Sequence, residues 1–160
     1  RPEWNVLDIG CGGGADVKRL LKLCPQGKVY GMDLSEESVA FARRHNAGEL
    51  DRRCFIQQGD VCSLPYGDGA FDAVTAFETV YFWSSVSKAL AEVFRVIRKG
   101  GCFLISLEAS DPELGKAWTE RIKGMTVYGA EELKQLLSQA GFSDIRVIQK
   151  KEELHIVAHK

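Results

Sequence analysis

Twelve residues near the start of the chain, Asn5-Val6-Leu7-Asp8-Ile9-Gly10-Cys11-Gly12-Gly13-Gly14-Ala15-Asp16, carry its strongest chemical signal. Four glycines fall within five positions, and an acid stands just before them. Glycine accepts positive φ and lets another group come close to the backbone. A helix that follows such a turn offers unpaired N–H groups and a positive dipole end, which suits a polar or anionic ligand. One glycine is enough to turn a strand into a helix; four after an acid point to a small-molecule site.

Two further acids extend the pattern. Asp33 follows Gly10 by 23 residues and ends the run Lys28-Val29-Tyr30-Gly31-Met32-Asp33. A carboxylate there can accept two hydrogen bonds from a ribose diol; the plainer alternative is a strand-terminal acid entering a turn. In Gly59-Asp60-Val61 the acid can accept from an exocyclic base amine while Val61 packs on the ring face, although Gly-Asp is also a common turn pair.

The elements that must position these residues follow from periodicity. Val6, Leu7 and Ile9 form a short apolar run, and Val17, Leu20, Leu21 and Cys24 follow at helical spacing. Strands are expected at 28–33, 54–58, 71–76 and 102–107, with a helix from Ser35, its N-cap, to about Asn46. Ser84 or Ser85 caps a further helix in which Val86, Leu90, Val93, Phe94 and Ile97 share a face, stopped at Arg98-Lys99-Gly100-Gly101. Leu114, Trp118 and Ile122 suggest a short helix in an irregular segment, and Leu133, Leu136, Leu137 and Ala140 mark a clear one. The last strands, Ile145–Ile148 and Leu154–Ala158, have a link too short for a parallel crossover and so form a hairpin. This alternation predicts an α/β fold: a Rossmann-like, doubly wound, seven-stranded sheet, mostly parallel, with an antiparallel C-terminal hairpin strand. Gly10, Asp33, Asp60 and the residues after Ala76 then meet at the carboxyl rim.

Composition narrows the class. Net charge is −1, from 21 basic and 22 acidic residues, which is neither a nucleic-acid footprint nor a membrane-attracting surface. No apolar run reaches the roughly 20 residues of a spanning helix, and no signal peptide is evident. Five cysteines without a CxxC pair are expected to be reduced thiols of a cytoplasmic protein. No metal site is expected, since His45, His155 and His159 lie near no cysteine and the last two fall on an alternating, strand-like segment.

With these residues in view, Val6 to Gly14 resembles the first motif of class I S-adenosylmethionine-dependent methyltransferases. Gly31-Met32-Asp33-Leu34-Ser35 is similar to that family's ribose-binding strand end, Gln58-Gly59-Asp60-Val61 to its adenine motif, and Phe71-Asp72-Ala73-Val74 to its fourth strand. Arg95 to Gly101 resembles its "LKPGG" turn, with Lys99 where proline is usual, and Glu132 to Phe142 its last helix. The resemblance covers nearly the whole chain. It implies S-adenosyl-L-methionine as cofactor. Asp8, Gly10, Gly12 and Gly14 would hold the methionine moiety, Asp33 the ribose, and Leu34, Asp60 and Val61 the adenine. Backbone at Ala76 and Phe77 would line the sulfonium end, and Glu78 onward would face the acceptor.

The stretch Phe77-Glu78-Thr79-Val80-Tyr81-Phe82-Trp83 lacks the Asn/Asp-Pro-Pro-Tyr/Phe motif of enzymes that methylate planar nitrogens, so a small-molecule acceptor is expected, not DNA. Its three consecutive aromatics can form an apolar wall, a cage for a cation, or ordinary packing. Glu78 is the candidate catalytic group, through orientation or electrostatics; Tyr81 and Tyr128 are lesser ones, and Trp118 a candidate lid residue. Family members usually carry helices ahead of the first strand, whereas this chain starts directly on it. Residues 1–160 are therefore expected to form one S-adenosylmethionine-binding domain without those lid helices. Two alternatives remain open on the sequence alone. One is a binding module without turnover. The other is an NAD-dependent oxidoreductase, since Gly10-x-Gly12-x-x-Ala15 also fits the dinucleotide fingerprint; that reading leaves Asp8, Asp60 and the hairpin unexplained.

Overall fold

The carboxyl ends of four parallel strands form the rim on which the chemistry rests. The computed structural model describes residues 1–113, 115–151 and 153–160. Strands β1 (Val6–Ile9), β2 (Val29–Asp33), β3 (Cys54–Gln58), β4 (Phe71–Phe77), β5 (Ile97–Leu107), β6 (Ser143–Lys150) and β7 (Glu153–His159) make one sheet in the order β3-β2-β1-β4-β5-β7-β6. The first five pair in parallel, while β7 runs antiparallel to both β5 and β6. Strand order reverses between β2-β1 and β1-β4, and in such sheets the crevice at that switch point receives ligands.

Side chains alternate across the sheet and so build two apolar layers. Helices α1 (Ala15–Leu23) and α2 (Glu36–His45) bury Val17, Leu21, Val39 and Ala42 against Val29, Cys54 and Ile56. On the other face, α3 (Val86–Val96) and α5 (Ala130–Gln139) bury Leu90, Val93, Leu133 and Leu137 with Leu7, Val74, Phe103 and Ile105. The short α4 (Lys116–Arg121) buries none of its residues. Ser35 caps α2 by accepting from the Ser38 amide, and Ser85, one of the two serines expected there, caps α3 by accepting from the Lys88 amide.

Two boundaries differ from expectation. Ile97 leaves the helix and opens β5, pairing with Phe71; a bulge between Phe71 and Ala73 then carries the pairing to Cys102. Gly100, at φ +75°, supplies the left-handed turn inside that bulge. The terminal hairpin is longer than expected, because β6 begins at Ser143 and the strands extend to Lys150 and from Glu153. Leu114, expected in the short helix, lies outside the described residues, while Trp118 does fall in α4. All five cysteines are unpaired, and among the described residues no helix is long and apolar enough to cross a membrane.

Candidate functional site

A cleft of about 650 Å³ opens at the carboxyl ends of β1, β2, β3 and β4. Of the residues singled out in the sequence, Gly10, Asp33, Leu34, Asp60, Val61 and Glu78 line it. They come from four separate strand ends and meet only because the sheet places those ends side by side.

The glycine loop is tied to β2 through its backbone. The Gly10 and Cys11 amides both donate to the Met32 carbonyl, at 2.7 and 3.0 Å. Asp33 then holds the loop from the side: its Oδ2 accepts from the Gly12 amide at 2.9 Å, and its Oδ1 from the Ser35 amide at 2.9 Å. Each carboxylate oxygen keeps a further acceptor site, so the half-buried Asp33 can fix the loop and still receive a pair of hydroxyls. Gly10 sits at φ +69°, and a Cβ there would lie 2.0 Å from Thr79 Oγ1, so this glycine is required by both conformation and space. Above Gly12, by contrast, a Cβ would meet nothing within 4 Å, which leaves its backbone open to a ligand.

Other expected site residues lie outside the cleft's lining. Gly14 faces α2, where a Cβ would come within 2.6 Å of Asn46 Nδ2, and its carbonyl accepts from that same nitrogen. Asp8 is 2 % exposed on β1, and its Oδ1 accepts from Thr75 Oγ1 at 2.7 Å. Burial pushes the Asp8 carboxyl up to about 7; the Thr75 hydrogen bond opposes this, and the charges of Asp16 and Asp33 add to it. Ala76 is fully buried in β4, next to the half-buried Phe77. Burial also pushes the Cys11 thiol up to about 12, so it stays protonated at neutral pH.

On the acceptor side, Glu78 takes φ +54°, a conformation that costs a non-glycine residue of order 1–3 kcal/mol and collects at functional sites. Its amide donates to the Ser106 carbonyl at 2.9 Å, which anchors the strained turn to β5. Its carboxylate accepts from the Tyr81 hydroxyl at 3.1 Å, and that hydroxyl accepts in turn from the Ala109 amide at 2.9 Å. Burial raises the Glu78 carboxyl above the usual range, against the lowering effect of its hydrogen bonds from Tyr81 and the Glu108 backbone. Tyr81 is 3 % exposed and reaches the cleft only through Glu78.

The three consecutive aromatics divide their tasks. Tyr81 and Trp83 are buried, Trp83 stacking on Phe103, whereas Phe82 is 51 % exposed; Phe82 and one edge of Trp83 line the cleft. Tyr128 is buried in the core and is not among the residues that line the cleft. Thr79, in the stretch expected to face the acceptor, lines the cleft as well; Ile9, Met32, Ser35, Gly59 and Ser84 also line it, and sequence reasoning gave them no role there. Ile9, Met32 and Gly59 adjoin recognised residues, and that adjacency is the one signal the sequence offers for them. Every charged residue of the lining is acidic: Asp33, Asp60 and Glu78. Such a cleft favours a ligand with positive charge and hydroxyl or amine donors.

With this geometry in place, comparison with known proteins is decisive for the family. A model of the methyltransferase domain matches residues 7–105, which span β1 through most of β5. The demethylmenaquinone methyltransferase of Symbiobacterium thermophilum is 37 % identical over 115 residues, which cover 70 % of this chain and 45 % of that protein. The O-methyltransferase cnsE of Penicillium expansum is 30 % identical over 157 residues, covering 94 % of this chain and 56 % of that one. Among solved structures, a SAM-dependent methyltransferase from Aquifex aeolicus superimposes with a TM-score of 0.81 at 25 % identity, covering 99 % of this chain and 84 % of that chain. This chain belongs to the class I S-adenosylmethionine-dependent methyltransferase family. It spans about half the length of the curated relatives it matches.

Proposed function

We propose that this chain binds S-adenosyl-L-methionine in the cleft and transfers its methyl group to a small-molecule acceptor. The observation that carries the reading is Asp33. One carboxylate clamps the Gly12 and Ser35 amides while standing at the cleft, beside a glycine loop whose backbone is open at Gly12. The remaining lining fits the same ligand. Leu34, 70 % exposed, offers an apolar ledge, and Val61 and Asp60 stand across from it at the end of β3. Asp33 would hold the ribose hydroxyls, Leu34 and Val61 would enclose the adenine, and Asp60 would accept from its amine. Asp8, the Gly10 and Gly12 backbone and the ends of β4 at Ala76 and Phe77 would frame the methionine half.

When bound, the cofactor supplies a methyl group already activated on a sulfonium, for in-line displacement by the acceptor. The protein's task is then to dock the acceptor at attack distance and keep water out. Glu78 is held by Tyr81 so that its carboxylate meets the cleft, where it orients the acceptor and complements positive charge. Phe82 provides the apolar wall on that side. The five unpaired thiols agree with a reducing compartment, and we place the protein in the cytoplasm.

The test is mass-spectrometric detection of methyl transfer to a panel of neutral, basic and acidic apolar small molecules. A mass gain of one methyl on any of them, dependent on Asp33, supports the reading. Tight cofactor binding with no transfer to the whole panel would favour a binding module instead.

A further inference from the structure

Of the three acids that line the cleft, Asp33 and Asp60 have tasks toward the ribose and the adenine, and Glu78 is left over. It follows the last residue of β4, on the side where the acceptor must approach. Among the described residues, no lysine or arginine lines the cleft to offset it. Its carboxylate is exposed and yet held in place. The Tyr81 hydroxyl accepts from the Ala109 amide at 2.9 Å, so its single proton is directed at Glu78 Oε2, 3.1 Å away. That bond uses one of about four acceptor positions on the carboxylate and leaves others for N–H donors in the cleft. The further charged groups that act on Glu78 are Glu108, just past β5, and His155, on β7. The His155 Nδ1 is engaged by Ser106 Oγ at 3.0 Å.

Phe82 supplies the second observation. It stands on the same wall as Glu78, and it is 51 % exposed where its neighbours Tyr81 and Trp83 are buried. A carboxylate and an open aromatic ring on one wall suit an alkylammonium: the carboxylate takes the charge and the N–H groups, and the ring takes the carbon body. An acidic acceptor would bring a second anion to Glu78 and be repelled. An alcohol would use the hydrogen bond and leave the charge unanswered.

We propose that the methyl acceptor is an alkylamine with an apolar body, docked as its ammonium on Glu78 with the body along Phe82. The assignment rests on S-adenosylmethionine filling the other half of the cleft. The ammonium gives one N–H proton to water by way of the Glu78 carboxylate. The freed nitrogen lone pair then forms the N–C bond to the methyl group as the S–C bond breaks, and that bond's electron pair stays on sulfur. Positive charge thus moves from the sulfonium to the methylated nitrogen, which faces Glu78.

The experiment is a ¹⁵N NMR titration of the protein saturated with S-adenosylhomocysteine, whose sulfur is uncharged. Two matched sets are added: 2-phenylethylamine, 2-phenylethanol and phenylacetate, then hexylamine, hexanol and hexanoate. Saturable shifts at the Glu78, Thr79 and Phe82 amides are expected. In at least one set the amine should bind roughly tenfold tighter than its alcohol, and the acid should not bind. Glu78→Gln should remove that preference while S-adenosylhomocysteine affinity stays within about twofold, which shows the fold and the cofactor half intact. With S-adenosylmethionine in place of S-adenosylhomocysteine, the bound amine should gain the mass of one methyl. Alcohol or acid binding as tightly as the amine in both sets, an amine preference that survives in Glu78→Gln, or no amine binding to the saturated protein would overturn the assignment. If S-adenosylhomocysteine itself fails to bind, the cofactor reading falls, and the acceptor assignment with it.

Discussion

Asp8→Asn tests a conflict between stability and function inside β1. Asp8 is carried from its ordinary value of 3.8 to about 7, chiefly by burial. For an acid shifted upward, the folded state holds its proton more tightly than the unfolded chain does. The Asp8 contribution to stability is therefore greatest below pH 3.8 and falls as pH rises to about 7, after which it is level. At about 1.4 kcal/mol per pH unit, that interval amounts to at most about 4 kcal/mol lost by neutral pH. Asparagine keeps an oxygen for the Thr75 hydroxyl but adds a buried donor, which returns about 1–3 kcal/mol. The variant should then be more stable than the parent at pH 8 by about 1–3 kcal/mol, and the difference should shrink to zero or reverse near pH 4. Urea denaturation of both proteins between pH 4 and 8.5 measures this, and subtracting the curves removes every other titrating group. A parallel pair of stability–pH curves would refute the reasoning. Cofactor affinity should fall in the same variant, since an acid retained at a cost to folding is retained for the site.

Gly10→Ala places a methyl 2.0 Å from Thr79 Oγ1 in a left-handed conformation; a loss of about 3 kcal/mol in denaturant unfolding and of cofactor binding by calorimetry is expected. Glu78→Gln should leave the melting temperature nearly unchanged while the methyl-transfer rate falls roughly 10- to 100-fold, read in single-turnover assays. Arg95 donates to the Leu64 and Tyr66 carbonyls and to Glu92 and Asp68, tying the loop after Val61 to α3. Arg95→Ala should therefore cost about 2 kcal/mol in urea unfolding and loosen the Val61 side of the cleft, seen as weaker cofactor binding.

Features set by neighbouring residues are legible in the sequence itself. The apolar run at Val6–Ile9, the Ser35 cap and the strand at Cys54–Gln58 depend on local spacing, and they lie where that spacing puts them. Asp33 is legible because strand, acid and glycine loop keep a fixed distance in a β-α-β unit. The contact of Gly10 with Thr79 is not, because 69 residues separate them and only the pairing of β1 with β4 brings them together. Asn46 reads in sequence as a helix stop, and its hold on the Gly14 carbonyl depends on how α2 packs beside α1. Ile97 fits the apolar face of α3 by period alone, yet its pairing with Phe71 takes it into β5. Among Tyr81, Phe82 and Trp83, nothing local distinguishes the exposed ring from the buried ones; the short 3₁₀ turn at Val80–Phe82 decides it.

Asp33 and the loop it holds are the centre of the proposed site, and isothermal titration calorimetry addresses both directly. S-adenosylmethionine and S-adenosylhomocysteine should each bind in the micromolar range, about −8 kcal/mol. NAD should not bind, and Asp33→Ala should abolish the heat from both adenosyl ligands. Binding of NAD alone, or adenosyl binding unaffected by Asp33→Ala, would contradict the assignment.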